Sequence, residues 1–161
     1  MRIAGTVQDS IVDGPGFRFV VFTQGCPHGC EGCHNPETHD PSGGYTVTVP
    51  ELLAAVRNNP LLDGVTFSGG EPFTQPEALC ELADGARALG LNVWAYSGFT
   101  FEELAALPDC RALLEKTDVL IDGPFVKAKR TLALPYRGST NQRVIDVRKS
   151  LDTGQVVLYE L

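Results

Sequence analysis

Apolar and polar positions alternate along this chain in a pattern that predicts strands separated by helices. The first strand is predicted at residues 17–23, where β-branched and aromatic side chains run together and end just before Gly25. The first helix is predicted to begin after Thr48, because residues 48–51 have the pattern of a capping box with a proline at the start of the helix. Apolar residues at helical spacing follow this signal, which indicates one buried helix face.

The same alternation continues toward the carboxyl terminus. Further strands are predicted at residues 65–67, 91–96 and 119–121, and two late strands at residues 144–147 and 156–159. Helix start signals occur at residues 74–77 and 100–103, Gly90 ends the first of these helices, and a short helix is predicted at residues 111–116. Strands that alternate with helices predict a parallel sheet with right-handed crossover connections.

The length of the chain restricts the fold that this alternation can build. A complete (β/α)₈ barrel takes ~250 residues, whereas this chain has 161. We therefore predict an α/β fold, a single domain over residues 1–161 that forms an open, partial (β/α) barrel with a parallel sheet and outer helices. Parallel sheets bind ligands at the carboxyl ends of their strands, so the four segments that follow the predicted strands are expected to share one face. These segments are residues 26–33, 68–72, 97–98 and 122–125.

Charge and composition narrow the classes of partner. Lys and Arg total 13 against 20 Asp and Glu, so the formal net charge is −7. This excess of acidic groups disfavours binding to nucleic acid or to an anionic membrane surface. No stretch is long and apolar enough to span a bilayer, and the first residues lack the apolar core of a secretory signal. We expect a cytoplasmic protein that has neither nucleic acid nor membrane as a partner.

Five cysteines are present, and three of them form the candidate site. Cys26, Cys30 and Cys33 are spaced C-x₃-C-x₂-C in one short loop. Cys80 and Cys110 stand alone inside apolar helical patterns and are predicted to be packing residues. In a reducing cytosol such a group of three is typical of a metal site rather than of a disulfide framework.

Two kinds of metal site are compatible with this spacing. A cubane [4Fe–4S] cluster has four irons, so three thiolates leave one iron open to chelate a small molecule. The alternative is a Cys₃His zinc site that uses His28 or His34 as its fourth ligand. The spacing of the cysteines leaves both alternatives open.

The sequence around the cysteines resembles a known family. Residues 26–33, Cys-Pro-His-Gly-Cys-Glu-Gly-Cys, resemble the signature of the radical S-adenosylmethionine superfamily. Residues 13–18 and 33–36 are similar to segments of its glycyl-radical-enzyme activases, and residues 69–72, Gly-Gly-Glu-Pro, to its cofactor-binding segment. The resemblance implies a [4Fe–4S] cluster whose metal ligands and catalytic residues are the three loop cysteines, with S-adenosylmethionine chelated to the open iron.

The resemblance also implies residues that contact the cofactor. Glycines let the backbone approach a ligand closely, and the methionyl ammonium group requires carbonyl or carboxylate partners. Gly32 stands where many relatives carry an aromatic residue near the adenine, so adenine contacts are expected from elsewhere, with His34 and Asn35 as candidates. The implied cofactor-binding residues are His34, Asn35, Gly69, Gly70, Glu71, Pro72, Ser97 and Asp122. For Asp122, a turn or helix-cap carboxylate is the alternative.

Three later segments point to a subgroup of these activases. Residues 94–100, 118–125 and 137–143 look like segments of the activases of anaerobic ribonucleoside-triphosphate reductases. This likeness implies reductive cleavage of S-adenosylmethionine to a 5′-deoxyadenosyl radical, which generates a glycyl radical on the reductase, and a flavodoxin-like or other one-electron reductant as a second partner. The alternatives are an activase of the pyruvate formate-lyase type and a non-catalytic zinc or iron–sulfur protein.

Much of the positive charge of this acidic chain lies in one late segment. It contains Lys127, Lys129, Arg130, Arg137 and Arg143. A solvated loop explains such a segment, and a docking edge for the reductase or the reductant is the other interpretation.

Overall fold

A computed structural model describes all 161 residues, and the strands form a single seven-stranded sheet. In chain order the strands are β1 (Arg2–Ser10), β2 (Arg18–Thr23), β3 (Tyr45–Thr46), β4 (Gly64–Gly69), β5 (Asn92–Tyr96), β6 (Val119–Asp122) and β7 (Arg143–Asp146). Across the sheet they lie in the order β3-β1-β2-β4-β5-β6-β7. The central strands β2, β4, β5 and β6 are therefore neighbours in the order in which the chain reaches them.

Five α-helices accompany these strands. They are α1 (Val49–Arg57), α2 (Pro76–Ala88), α3 (Phe101–Ala106), α4 (Pro108–Leu114) and α5 (Val147–Thr153). The predicted capping boxes are present at Thr48 and Thr100, whose side chains accept hydrogen bonds from the backbone of the first helical turn. At the start of α2, Gln75 makes no side-chain cap and instead bonds the N–H and the C=O of Arg2, which fastens β1 to this helix.

The sheet is parallel at its centre and antiparallel at both edges. β2, β4, β5 and β6 run parallel, as the alternation of strands and helices predicts. The predicted parallel sheet is thus present in these four strands, and the sheet as a whole is mixed, because β1 pairs antiparallel with β2 and β3, and β7 pairs antiparallel with β6. Only residues 11–17 join β1 to β2, which is too short for the crossover that a parallel pair requires.

Three elements were missing from the sequence-based prediction, and one predicted strand is wrong. β1, β3 and α5 are not predicted. Both residues of β3 are exposed, and in β1 four of nine residues are exposed and Gly5 interrupts the apolar pattern. Residues 156–159 form no strand, and only Leu158 makes a bridge, to Ile145. β7 ends at Asp146 because the carboxylate of Asp146 caps α5, which begins at the next residue.

The two faces of the sheet have different partners because side chains alternate along each strand. Phe19, Val21 and Phe67 point to one face and join residues of all five helices in a core of 24 buried residues. The opposite face carries a second cluster around Trp94 that includes no helical residue. The helices thus cover one face, and the other face remains available for a site. No helix combines the length and the apolar character needed to cross a membrane.

A buried arginine organises the open face. Arg18 is fully buried and donates hydrogen bonds to the Thr66 hydroxyl, the Asn92 side chain and the carbonyls of Pro15 and Val65. Burial lowers its pKa to about 10, against the opposing effect of the nearest acidic groups. The guanidinium therefore holds the turn before β2 against the neighbouring strands.

Candidate active site

A large cavity, called here the main cavity, opens on the sheet face opposite the helices. Its volume is about 810 Å³, and Phe22, Ser68 and Tyr96 from three parallel strands line it. The wall is built by the cysteine loop (residues 26–33), by Gly69 and Gly70 of the glycine-rich turn (residues 69–72), and by the segments that follow β5 and β6. This confirms the expectation that the four segments after the parallel strands share one face.

The cysteine loop is shaped by backbone bonds that present its three thiols to the main cavity. The N–H of Cys26 donates to the carbonyl of His39, and the N–H of Cys33 donates to the carbonyl of Cys30. Gly29 and Gly32 have positive φ values of 61° and 74°, a conformation that favours glycine. All three thiols are partly exposed and line the cavity. Burial is the main cause that raises the pKa of the Cys26 thiol, so the protonated form is favoured before a metal binds.

Three thiols face the main cavity and are available to bind a metal centre. A zinc ion needs its sulfur ligands within about 2.3 Å of one point, whereas each thiolate of a cubane binds an iron at its own corner and need not converge with the others. His28, one of the candidate zinc ligands, is bonded instead to Glu71.

The remaining two cysteines lie outside the main cavity. Cys110 is buried in the helical core, where its thiol contacts the carbonyl of Phe73 at 3.5 Å. Cys80 is half-buried on α2 and packs against the same core. Burial raises the pKa of both thiols, which is typical of unreactive packing cysteines.

The Glu71 carboxylate lies behind the cavity wall in a dense set of hydrogen bonds. It is fully buried and accepts from His28 Nε2 at 2.6 Å, from the N–H of Gly98 at 2.8 Å and from the N–H of Phe73 at 3.1 Å. The Ser97 hydroxyl lies 3.0 Å from each carboxylate oxygen. Glu71 itself does not line the main cavity. Sequence reasoning selected Glu71 and Ser97 as cofactor contacts and did not foresee that they bond each other.

The glycines of the turn allow two backbones to approach closely. Gly69 has a φ of 117°, and a side chain there would lie 2.5 Å from the carbonyl oxygen of Thr23. The N–H of Gly70 donates to the carbonyl of Thr23, and the N–H of Glu71 donates to the carbonyl of Gly25. The turn is thus joined to the end of β2 beside the cysteine loop, with Gly69 and Gly70 exposed to the cavity.

Asp122 also lies outside the main cavity. It is buried and accepts hydrogen bonds from Arg143 at 3.0 and 2.6 Å and from the N–H of Phe101 at 2.8 Å. Asp122 therefore pairs with an arginine and accepts from the first N–H of α3, a helix whose N-cap is Thr100. Pro72 is buried in a short 3₁₀ turn and does not line the cavity either.

His34 and Asn35 line the main cavity next to Cys33. The His34 ring packs edge-on against Phe125, with ring centroids 5.2 Å apart. A side chain at Gly32 would lie 3.3 Å from the Lys127 side chain and 3.5 Å from the Phe125 ring, so both residues fill the space beside this glycine. Sequence reasoning did not identify Phe125 as a site residue. The signal in the sequence was Gly32, whose lack of a side chain implied that contacts to the adenine come from another segment.

Two further side chains of the cavity carry buried atoms without a hydrogen-bond partner. They are Nε2 of His39 and Nε of Arg137. Buried polar atoms normally have partners, so these two fit a cavity that accepts a polar ligand. Arg137 is the only lysine or arginine that lines the cavity. His39 carries no motif that marks it as a site residue, and Arg137 was grouped only with the basic segment.

The basic segment therefore divides into residues with different contacts. Arg143 pairs with buried Asp122 and with Glu102, which makes it a brace between β7, β6 and α3. Lys127 approaches Glu31 at 3.6 Å on the surface. Arg137 faces the cavity. Docking of this segment to the reductase or the reductant stays a prediction.

Comparison with known proteins identifies relatives. A family model described as a 4Fe-4S single cluster domain matches residues 12–145. The anaerobic ribonucleoside-triphosphate reductase-activating protein of Enterobacteria phage T4 is 35% identical over 83% of this chain and 86% of its own length. The pyruvate formate-lyase-activating enzyme of Clostridium pasteurianum is 44% identical over 56% of this chain and 40% of its own length. The solved structure of QueE from Escherichia coli aligns with a TM-score of 0.49 and 20% identity, over 62% of this chain and 52% of that one.

Proposed function

The chain belongs to the family of anaerobic ribonucleoside-triphosphate reductase-activating proteins, and on that premise we propose that it generates a glycyl radical on such a reductase by radical S-adenosylmethionine chemistry. The observation that carries the proposal is the meeting of three cysteines and the glycine-rich turn around one cavity. The resemblance to the family spans most of the chain and most of the relatives.

The chain carries an iron–sulfur cluster domain, and we assign the cluster ligands to Cys26, Cys30 and Cys33. Their shared exposure to the main cavity supports this assignment. Three ligands for four irons leave one coordination position for the cofactor. When bound, the reduced cluster supplies one electron to S-adenosylmethionine, whose cleavage gives methionine and a 5′-deoxyadenosyl radical.

The chain's own residues bind and orient the cofactor. Gly69 and Gly70 offer backbone to the methionyl ammonium group, while His34 and Asn35 lie beside the cysteines where the adenine is expected. Ser97 reaches the cavity wall from the end of β5. Glu71, Pro72 and Asp122, which the sequence also assigned to the cofactor, act in this proposal from behind the wall by fixing the segments that form it.

The architecture suits a macromolecular substrate. Residues 1–161 act as one domain in this proposal, an open partial barrel whose helices cover the outer face and whose inner face holds the cavity. Val12 and Leu132 line the cavity yet are about 70% and 89% exposed, so they lie at its mouth. An open mouth lets a glycine-bearing loop of the reductase approach the cofactor while the cavity wall excludes other quenchers. A flavodoxin-like or other one-electron carrier would supply the electron for this chemistry.

A second candidate function is activation of a pyruvate formate-lyase-type enzyme. The 44% identity to the Clostridium pasteurianum enzyme over 96 residues favours it. That match covers less than half of the lyase-activating enzyme, however, whereas the reductase-activating relatives match over most of their length. The reductase is therefore the preferred partner.

The test begins with anaerobic reconstitution of the chain with iron and sulfide, reduction in the presence of S-adenosylmethionine, and chromatography for 5′-deoxyadenosine. The native chain is expected to form this product, and the Cys26→Ala, Cys30→Ala, Cys33→Ala triple variant is expected to form none. The Cys80→Ala, Cys110→Ala double variant is the matched control and is expected to behave as the native chain.

Electron paramagnetic resonance of the activase mixed with each candidate partner then identifies the substrate. A glycyl radical on the reductase and not on the lyase is the expected result. A chain that binds only zinc, or one that holds a full cluster and forms no 5′-deoxyadenosine, would contradict the proposed function.

A further inference from the structure

The Glu71 side chain is buried behind the main cavity with every acceptor in use. Four donors from three segments surround it: His28 of the cysteine loop, Ser97 and Gly98 after β5, and Phe73 after the glycine-rich turn. Hydrogen bonds to a carboxylate are stronger than those between neutral groups, and a low-dielectric site strengthens them further. The carboxylate therefore joins three separate chain segments at one point.

His28 is the residue through which the cysteine loop reaches this point. It lies between Cys26 and Cys30, and its ring packs edge-on against Phe99 with centroids 4.5 Å apart. Gly98 leaves the space for the ring, because a side chain on Gly98 would lie 2.6 Å from His28 Nε2. The imidazole is held on one side by packing and on the other by the Glu71 carboxylate.

We propose that His28 and Glu71 form a clamp that fixes the cysteine loop relative to the glycine-rich turn, and that both act as positioning residues for the cofactor, Glu71 from behind the cavity wall and His28 from within it. The inference rests on the proposed function and deepens it. In an unclamped site the cluster-binding loop and the cofactor-binding turn would be joined only through the backbone bonds near Gly25. Groups that orient the ligands of a metal site typically affect its affinity or activity by about 10- to 100-fold when removed.

The clamp is tested on the reconstituted holoprotein with a matched pair of substitutions at His28. His28→Phe keeps an aromatic ring against Phe99 and removes the donor to Glu71, whereas His28→Gln keeps a side-chain N–H donor. Gly98→Ala leaves both clamp residues native and displaces the His28 ring. Gly5→Ala is its control, because a side chain on Gly5 meets no atom within 4 Å.

Three quantities are measured for each protein. They are the iron and sulfide content, the dissociation constant of S-adenosylmethionine, and the change that S-adenosylmethionine causes in the electron paramagnetic resonance spectrum of the reduced cluster. The spectral change reports the geometry of cofactor and cluster, which a loss of global stability alone would not alter.

We expect His28→Phe and Gly98→Ala to retain iron and to bind S-adenosylmethionine about 10- to 100-fold more weakly, with a diminished spectral change. His28→Gln is expected to recover most of the affinity, and Gly5→Ala to match the native chain. Native affinity and a native spectrum in both His28→Phe and Gly98→Ala would overturn the clamp. If His28→Phe does not hold the cluster, Gly98→Ala alone decides the test, and native binding of S-adenosylmethionine by Gly98→Ala would overturn the clamp.

Failure of the clamp and failure of the proposed function are distinguishable. A native chain that binds S-adenosylmethionine and forms 5′-deoxyadenosine while its clamp variants behave identically refutes only the clamp. A native chain that holds a full cluster and neither binds nor cleaves S-adenosylmethionine refutes the function.

Discussion

Replacement of Arg143 by methionine should destabilise the protein much more than the loss of an ordinary surface arginine. Asp122 is about 1% exposed and depends on Arg143 for two of its three hydrogen bonds. Methionine keeps much of the aliphatic length of the side chain and removes the charge and the donors. The variant therefore leaves a buried carboxylate with only the N–H of Phe101 as a partner.

The contacts of Arg143 set the expected magnitude. Removal of one partner from a buried ion pair costs about 3–5 kcal/mol. The Arg143 side chain is 35% exposed, so water can reach the space it leaves, and we expect the lower end of that range. Its pairing with Glu102 lies at the surface and adds at most about 1 kcal/mol. A total loss of about 3 kcal/mol corresponds to a fall in Tm of about 6–12 °C for a chain of this size.

Urea and thermal unfolding of the anaerobic apoprotein measure this loss, with Arg148→Met as the control. Arg148 is half exposed and approaches Asp118 at 3.6 Å, so its replacement should cost less than about 1 kcal/mol. The double variant Arg143→Met, Asp122→Asn should be more stable than Arg143→Met alone, because it removes the uncompensated charge. Equal and small losses for Arg143→Met and Arg148→Met would refute the reasoning.

Three further predictions follow from the same structure. Gly69→Ala should lower the free energy of unfolding by at least about 3 kcal/mol, because the new side chain clashes with Thr23 and the backbone is strained at a φ of 117°. Gly90→Ala should lower it by only about 1–2 kcal/mol, because the φ of 79° is strained but no atom lies within 4 Å of the new side chain. Equal losses for the two variants in urea unfolding would contradict this. The Arg143 side chain lowers the pKa of Glu102, so this interaction stabilises the fold above the unfolded pKa of about 4.3 and is lost as the pH falls through the lower folded value. The stability difference between the native chain and Arg143→Met should therefore shrink between about pH 5 and pH 3, and a difference that grows in urea titrations over this range would be inconsistent with it. In the apoprotein at pH 8, Cys110 should be alkylated more slowly than the partly exposed loop cysteines, because its thiol is buried in the core and must be exposed by local opening before it reacts. Mass spectrometry of timed samples measures the order, and early modification of Cys110 would argue against its packing role.

The candidate site was partly predictable because some of its signals are local. The three cysteines occupy one loop, so their spacing alone brings them together. The parallel-sheet rule then placed the glycine-rich turn and the segments after β5 and β6 beside that loop, as the main cavity confirms. The role of each polar side chain was less predictable. Asp122 and Glu71 have the residue type of a ligand contact, yet their oxygens bond protein donors far away in the sequence.

For the fold too, local sequence patterns predicted the central strands but not how the outer strands pair. β2, β4, β5 and β6 were predicted because a buried parallel strand is apolar on both faces, and a capping box marks the start of α1 and of α3. β1 was not predicted, because four of its nine residues are exposed and its apolar periodicity is weak. β7 has no exposed residue and overlaps the strand predicted at residues 144–147, but its antiparallel pairing with β6 was not predicted.

The sequence by itself determined the cysteine spacing, the capping boxes and the order of strands and helices, because each of these depends on residues only a few positions apart. Only the tertiary structure decided that His28 bonds Glu71, that Arg143 neutralises Asp122, and that Arg137 faces the main cavity. The physical reason is that a buried charge takes the donors or acceptors that packing brings to it. Those partners come from distant parts of the chain, and they are fixed only when the sheet has assembled.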